Sequence, residues 1–122
     1  MVKVLVVEDS VAQREMIADL LKDSGLSVTG ASDGVEALEQ IKGSCPDLVV
    51  MDIVMPRMNG YELCRRLKTD PKTEQVPVVM CSTKGEEFDR YWGMRQGADA
   101  YISKPFQPQE LVGTVKQLLR KG

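Results

Sequence analysis

The chain has 122 residues, 43% of them hydrophobic, and a chain of this length can bury roughly two-thirds of its unfolded surface, so we expect one compact domain. The formal net charge is -2 at pH 7 and no five like charges are consecutive, which argues against direct nucleic-acid binding. The apolar runs are far shorter than the roughly twenty residues of a membrane span, and the first residues lack a signal-peptide pattern, so we expect no membrane insertion and a cytoplasmic location.

The first half of the chain alternates strand and helix patterns. A β-branched apolar run at 2–7 predicts a strand buried on both faces, and apolar residues at helical spacing predict a helix over about 10–23. A short strand at 26–31 and a helix at 33–43 follow. The apolar run at 48–51 predicts a third strand.

The middle of the chain contains a long turn-rich segment. Proline, asparagine and glycine favour a loop over 53–60, and a third helix follows it with apolar residues on one side. An apolar run at 76–81 predicts the fourth strand, and 82–85 is expected to be a loop.

The last third completes the alternation. Phe88, Tyr91 and Trp92 mark one face of a fourth helix, in which Gly93 costs about 1 kcal/mol relative to alanine. A fifth strand at 100–103 and a last amphipathic helix follow. Five strands that alternate with five helices predict an α/β fold with a single open five-stranded parallel sheet and helices on both faces.

Charged and hydroxyl side chains follow the carboxyl ends of the predicted strands, where ligands bind in open α/β sheets. Glu8 and Asp9 follow the first strand, Asp52 the third, Ser82 and Thr83 the fourth, and Lys104 the fifth. Each residue also has an ordinary structural explanation; either Asp9 or Ser10, for example, can be the N-cap of the first helix. Because all of them lie at one edge of the sheet, we expect a functional site there.

The acidic side chains at this edge are expected to bind a cation. Two carboxylates about 5 Å apart repel each other by roughly 3 kcal/mol at an effective dielectric constant near 20. The chain has no histidine, and its three cysteines, expected to be reduced thiols, form no CxxC pair, so oxygen ligands and Mg²⁺ are expected, with Mn²⁺ as an alternative. Asp52 can then attack a phosphoryl group while Lys104 and the Ser82 hydroxyl face the developing negative charge.

Five motifs stand out in the sequence: VVEDS at 6–10, DLVVMDIVMP at 47–56 with Asn59-Gly60, Ser82-Thr83, GADAY at 97–101, and Lys104-Pro105. Together they resemble the receiver domains of two-component response regulators, of the single-domain CheY kind. The resemblance covers 3–119 and implies a flavodoxin-like fold.

The resemblance also implies roles for individual residues. Asp52 would accept phosphate from a histidine kinase or phosphotransfer protein. The Mg²⁺ ligands would be Glu8, Asp9, Asp52 and the backbone carbonyl of Val54. The phosphate would be sensed by Ser82, Thr83, Lys104 and the switch residue Tyr101, with a cis peptide bond before Pro105. A downstream protein would bind the face formed by the fourth helix, the fifth strand and the last helix.

Two residues depart from the chemotaxis regulator. Val54 stands where that regulator has asparagine, and Lys84 stands where it has an acid. Both positions border the water that attacks the aspartyl phosphate, so we expect Val54 and Lys84 to set the phosphate lifetime. The stretch 92–98 resembles the PilH and PilG regulators of twitching and gliding motility.

We therefore expect a stand-alone response regulator, with one receiver domain over 1–122, no output domain and no enzymatic activity beyond its own phosphorylation and dephosphorylation, in a chemotaxis-like motility pathway. A phosphate sink and a regulator in a non-motility pathway remain open alternatives. A haloacid-dehalogenase-like phosphatase is disfavoured because it needs an Asp-x-Asp motif after the first strand and a cap domain. A flavodoxin-like cofactor carrier is disfavoured because two acids replace its phosphate-binding loop.

Overall fold

The computed structural model describes residues 1–121, and for Lys121 it describes the backbone only. Five strands alternate with five helices in the order β1 (Lys3–Val7), α1 (Val11–Asp23), β2 (Ser27–Ala31), α2 (Gly34–Gly43), β3 (Leu48–Met51), α3 (Gly60–Thr69), β4 (Val78–Ser82), α4 (Glu87–Arg95), β5 (Ala100–Ser103) and α5 (Pro108–Lys121).

The strands form one parallel sheet in the order β2-β1-β3-β4-β5. Alternate residues of β1 point to opposite faces: Leu5 and Val7 join a core with α2 and α3, whereas Val4 and Val6 join a core with α1 and α5. The prediction of an open five-stranded parallel sheet covered on both faces is confirmed.

Several predicted strand ends shift by one or two residues. β1 and β2 begin at Lys3 and Ser27, one residue later than expected. β4 begins at Val78 because the Val76 N–H donates to the Thr73 carbonyl oxygen in the preceding turn, and Pro77 has no N–H. At its other end β4 continues through Ser82, which the sequence placed in a loop.

The aromatic face of α4 points into solvent. The side chains are 68% exposed for Phe88, 58% for Tyr91 and 43% for Trp92. Within the described residues, α4 buries a single residue, Gly93, against the sheet. A β-carbon at Gly93 would lie 2.8 Å from the Met80 sulfur, so the helix sits too close to β4 and β5 for a larger side chain on that side.

Helix side chains bind carbonyl groups on the outer edges of both edge strands. Gln40 of α2 donates a hydrogen bond of 2.8 Å to the Gly30 carbonyl of β2. Arg90 of α4 donates one of 2.9 Å to the Tyr101 carbonyl of β5. One outward carbonyl on each edge strand is therefore capped by a side chain from a neighbouring helix.

No helix within residues 1–121 combines the length and the apolar composition needed to cross a bilayer. Of the three free cysteines, Cys64 and Cys81 are buried and Cys45 is exposed.

Candidate functional site

The parallel register brings the acids after β1 and β3 together. Val7 pairs with Met51 at the ends of these strands, so Glu8 and Asp52 follow at adjacent positions. One carboxylate oxygen from each of Glu8, Asp9 and Asp52 lies within 4.8 Å of the others. The structure thus joins the three acids that the sequence selected.

Ser10, rather than Asp9, is the N-cap of α1. The Ser10 Oγ accepts a hydrogen bond of 3.3 Å from the Gln13 N–H. This settles the alternative that the sequence left open, because Asp9 then remains beside the other acids instead of capping the helix.

Lys104 reaches into this cluster from the end of β5. Its Nζ donates a 2.6 Å hydrogen bond to Glu8 Oε1 and lies 3.3 Å from Asp52 Oδ2. Burial alone would lower the pKa of Lys104, but the hydrogen bond to Glu8 and the charge of Asp52 outweigh it, so the pKa is raised above its ordinary value. Three carboxylates and this ammonium group leave the cluster with two formal negative charges.

Glu8 is the most buried member of the cluster, with 3% of its surface exposed. Its Oε2 accepts a 3.0 Å hydrogen bond from the Ser10 N–H. Burial raises the pKa of the Glu8 carboxyl in spite of the Lys104 ammonium group. A divalent cation would favour the ionised form of this carboxyl, and three carboxylate oxygens are a donor set that suits Mg²⁺.

Asp52 is held in place by its own backbone. Its Oδ1 accepts a 2.6 Å hydrogen bond from the Ile53 N–H, and Oδ2 faces Lys104. A β-carbon at Gly60, the first residue of α3, would lie 2.2 Å from the Asp52 carbonyl oxygen, so only glycine allows the β3–α3 loop, residues 52–59, to return this close. Val54 in this loop is 58% exposed beside the site.

The β4–α4 loop connects the site to Tyr101. Ser82 is fully buried at the end of β4, and its Oγ accepts a 3.2 Å hydrogen bond from the Lys84 N–H. The buried Tyr101 donates its hydroxyl to the Lys84 carbonyl oxygen. Burial raises the pKa of Tyr101 to about 12, so this hydroxyl stays a donor at neutral pH.

Arg90 holds Tyr101 from the other side. Its guanidinium carbon lies 5.2 Å from the centre of the Tyr101 ring, and the same guanidinium donates to the Tyr101 carbonyl. α4 and β5 are therefore joined through the residue that the sequence selected as a switch.

A cavity of about 630 Å³ opens beside the acids. Its polar wall is formed by Glu8, Asp9, Asp52, Thr83 and Lys104. Its apolar wall is formed by Met16, Leu20, Val54, Pro105, Phe106 and Pro108, and the peptide bond before Pro105 is cis. Thr83 lines this cavity, whereas Ser82 lies behind it.

The sequence did not single out Met16 or the Asp33–Arg57 ion pair. Met16 and Leu20 are four residues apart on α1, and this spacing could have revealed a shared face beside the site. Asp33 and Arg57 are 24 residues apart, and no local pattern links them.

Comparison with known proteins gives a consistent result. The response regulator receiver domain family matches residues 4–116. The phosphate regulon transcriptional regulatory protein PhoB of Escherichia coli K12 is 40% identical over 119 residues, and PhoB of Pseudomonas aeruginosa is 42% identical over 118 residues. These matches cover 98% and 97% of this chain but 52% of each relative, so the chain spans about half the length of these curated relatives.

Solved structures are similar over nearly the whole chain. A putative response regulator from Chloroflexus aurantiacus J-10-fl has a TM-score of 0.93 with 37% identity, and the match covers 97% of both chains. The chemotaxis response regulator CheY4 of Vibrio cholerae has a TM-score of 0.90 with 32% identity, over 97% of this chain and 98% of that one.

Proposed function

This chain belongs to the family of response regulator receiver domains, and from that premise we propose that Asp52 accepts a phosphoryl group from the phosphohistidine of a histidine kinase or phosphotransfer protein. The observation that carries the proposal is the meeting of Asp52 with Lys104 at 3.3 Å inside a cluster of acids. A nucleophilic carboxylate beside a fixed ammonium group is the arrangement that phosphoryl transfer requires.

In the proposed transfer, an Asp52 carboxylate oxygen forms a bond to phosphorus while the phosphorus–nitrogen bond to the donor histidine breaks. The departing electron pair stays on the imidazole nitrogen. Lys104, which follows β5, would pair with the phosphoryl oxygens as their negative charge shifts. Ser82 and Thr83 would approach the same phosphoryl group from the end of β4. No second catalytic base is needed, because Asp52 reacts as the carboxylate.

Mg²⁺ fits the donor set and would be held by Glu8, Asp9, Asp52 and the Val54 backbone carbonyl. Bound there, it would supply charge neutralisation for the phosphoryl oxygens. The two formal negative charges that remain after Lys104 pairs with its neighbours match one divalent cation.

The apolar wall of the cavity supports a helical phosphate donor. Met16 and Leu20 lie on α1, Phe106 lies in the loop before α5 and Pro108 begins α5, and all four line the cavity beside Asp52. An amphipathic helix could bury its apolar side chains against these residues while its phosphohistidine enters the polar half. We propose this groove as the donor-binding surface.

Output would follow from Tyr101. When Ser82 moves toward the phosphate, the hydrogen bond between its Oγ and the Lys84 N–H is disturbed, and so is the neighbouring bond from Tyr101 to the Lys84 carbonyl. Release of Tyr101 would alter the face of α4, β5 and α5 that binds a downstream protein.

For the protein as a whole, we propose a phosphorylation-controlled regulator that acts through protein contacts rather than as an enzyme on an external substrate. The 92–98 resemblance supports a chemotaxis-like motility pathway of the PilH and PilG kind, with the receiver working alone. The similarity to transcriptional regulators supports a second candidate, in which phosphorylation controls an output domain that binds DNA.

The test is phosphate addition measured by intact mass, with a small-molecule phosphodonor and Mg²⁺. We expect one added phosphoryl group on the wild type and none on Asp52→Asn. Asp19→Asn, which removes an exposed acid on α1, is the matched control and should react like the wild type. Undiminished phosphorylation of Asp52→Asn would reject the assignment.

A further inference from the structure

The β3–α3 loop contains a backbone turn of high energy. Arg57 has a φ of 65°, in the left-handed region, and the Met58 N–H donates a 2.7 Å hydrogen bond to the Pro56 carbonyl across it. A hydrogen bond between residues two apart around a positive φ defines a γ-turn that is rare and strained for a residue with a side chain. Such a turn persists only where surrounding contacts hold it.

The Arg57 side chain supplies such a contact. Its Nε donates to Asp33 Oδ2 at 2.8 Å and its Nη2 donates to Asp33 Oδ1 at 3.1 Å, so the ion pair is bidentate. Asp33 is 4% exposed and is already fixed, because Oδ1 also accepts the Glu36 N–H as the N-cap of α2. The Arg57 guanidinium keeps the pKa of Asp33 below its ordinary value, so the pair is ionised at neutral pH.

A second contact fastens the same loop to α2. A β-carbon at Gly34 would lie 2.9 Å from the Met58 side chain, which is itself buried. Gly60 then returns the chain against the Asp52 carbonyl. The loop is therefore held at α2 and at the end of β3, and Val54 lies between these two anchors.

We propose that Arg57 is a positioning residue for the Mg²⁺ site: by pairing with Asp33 it holds the strained turn, and the turn fixes the position of the Val54 backbone, which lines the same cavity as Glu8, Asp9 and Asp52. This inference rests on the proposed Mg²⁺ site. Arg57 itself touches neither the metal nor the phosphoryl group.

Charge alone predicts the opposite effect. Removing a positive charge near the acids would strengthen the binding of a cation. If Mg²⁺ binds more weakly after Arg57 is removed, the cause is therefore a change in the position of the β3–α3 loop and not the loss of the positive charge.

The experiment is the Mg²⁺ dissociation constant of the full chain by isothermal titration calorimetry. We expect Arg57→Ala to bind Mg²⁺ about tenfold more weakly, since residues that orient metal ligands typically contribute tenfold or more. Arg57→Gly keeps the turn accessible without steric cost and removes the guanidinium, so it folds even where alanine is strained, and it should also bind more weakly.

Arg66→Ala is the matched control. Arg66 is 55% exposed and pairs with Glu62 at 2.8 Å, whereas Arg57 is 59% exposed and pairs with Asp33 at the same distance. Arg66 lies on α3 outside the loop, and its removal should leave the Mg²⁺ affinity within twofold of the wild type.

The two proposals fail differently. Wild-type affinity in both Arg57→Ala and Arg57→Gly, with wild-type binding measurable and abolished by Asp9→Asn, would overturn the role of Arg57 alone. A wild type that binds no Mg²⁺ would overturn the Mg²⁺ site and this role together.

Discussion

The two helices that follow the functional strands, α3 and α4, are attached to the sheet in different ways. α3 buries Gly60, Leu63, Cys64 and Leu67, and the Asn59 side chain caps its first turn. Among the described residues, α4 buries Gly93 alone, and no hydrogen bond joins the side chain of its N-cap residue, Glu86, to the first turn of the helix. α3 is therefore anchored by apolar side chains, whereas α4 contacts the sheet at a glycine.

The difference divides the site into two halves. The anchored half, α2 with the β3–α3 loop and α3, fixes Asp52 and Val54. The other half, the β4–α4 loop with α4, is joined to β5 through polar contacts of Arg90 and Tyr101. Because we propose that this half moves on phosphorylation, we call it the switching half. A receiver needs both properties, because metal and phosphate require fixed ligands whereas output requires an element with two arrangements.

The largest test of this comparison removes one side chain from each helix. Leu63→Ala should lower the free energy of unfolding by about 2–5 kcal/mol, because it leaves a cavity in the core. Trp92→Ala should lower it by less than about 1 kcal/mol, since that side chain is 43% exposed. Denaturant unfolding monitored by circular dichroism measures both values, and equal losses would show that α4 is anchored as firmly as α3.

A second test measures how Mg²⁺ changes the stability of the protein. Mg²⁺ at one hundred times its dissociation constant should raise the free energy of unfolding of the wild type by about 2.7 kcal/mol. Asp9→Asn should gain much less from Mg²⁺, yet without Mg²⁺ it should be the more stable protein, because the mutation relieves repulsion among the acids. Thermal melts with and without Mg²⁺ measure this, and an equal gain in both proteins would remove Asp9 from the metal site.

A third test asks which half controls the phosphate lifetime. Val54 belongs to the anchored half and Lys84 to the switching half. The chemotaxis regulator has an asparagine at the first of these positions and an acid at the second. The double change Val54→Asn with Lys84→Glu should speed hydrolysis about tenfold, equivalent to about 1.4 kcal/mol in the barrier. Phosphate release over time measures the rate, the single variants assign it to one half, and an unchanged rate in the double variant would contradict both assignments.

A fourth test uses two helix glycines. Gly93→Ala should lower the free energy of unfolding by about 1 kcal/mol, because the new β-carbon would meet Met80 and Tyr101 and the cost of overpacking exceeds the helix-propensity gain. Gly113→Ala in α5 has open space around it and should raise the free energy of unfolding by about 0.5–1 kcal/mol. Thermal unfolding measures both, and stabilisation by Gly93→Ala would show that α4 can move away from the sheet at little cost.

The smallest effect concerns the pH dependence of the anchored half. The pKa of Asp33 is lowered in the folded protein by Arg57, so the stability that this pair contributes is complete above the unfolded pKa and is lost as pH falls through the folded pKa. The stability difference between wild type and Arg57→Gly should therefore shrink in acid. Urea unfolding from pH 7 to pH 3 measures it, and a difference that does not change with pH would separate Arg57 from the charge of Asp33.

The sequence predicted the fold and the acids of the site because both follow from local patterns. Apolar runs marked the strands, and the rule that parallel strands end at one edge selected Glu8, Asp52 and Lys104. The orientation of α4 was beyond this reasoning, because periodicity shows that Phe88 and Trp92 share a face but not which face meets the sheet. The Asp33–Arg57 pair was missed because it joins distant residues through tertiary structure alone.

The capped sheet edges have a consequence for the protein in solution. In a parallel ladder the carbonyls of alternate residues point outward, and those of Gly30 in β2 and Tyr101 in β5 would be acceptors for a strand from another molecule. Gln40 and Arg90 already occupy them. The same Arg90 that connects α4 to Tyr101 thus also occupies an outward acceptor of β5, so movement of α4 would leave this carbonyl open to a strand from another molecule.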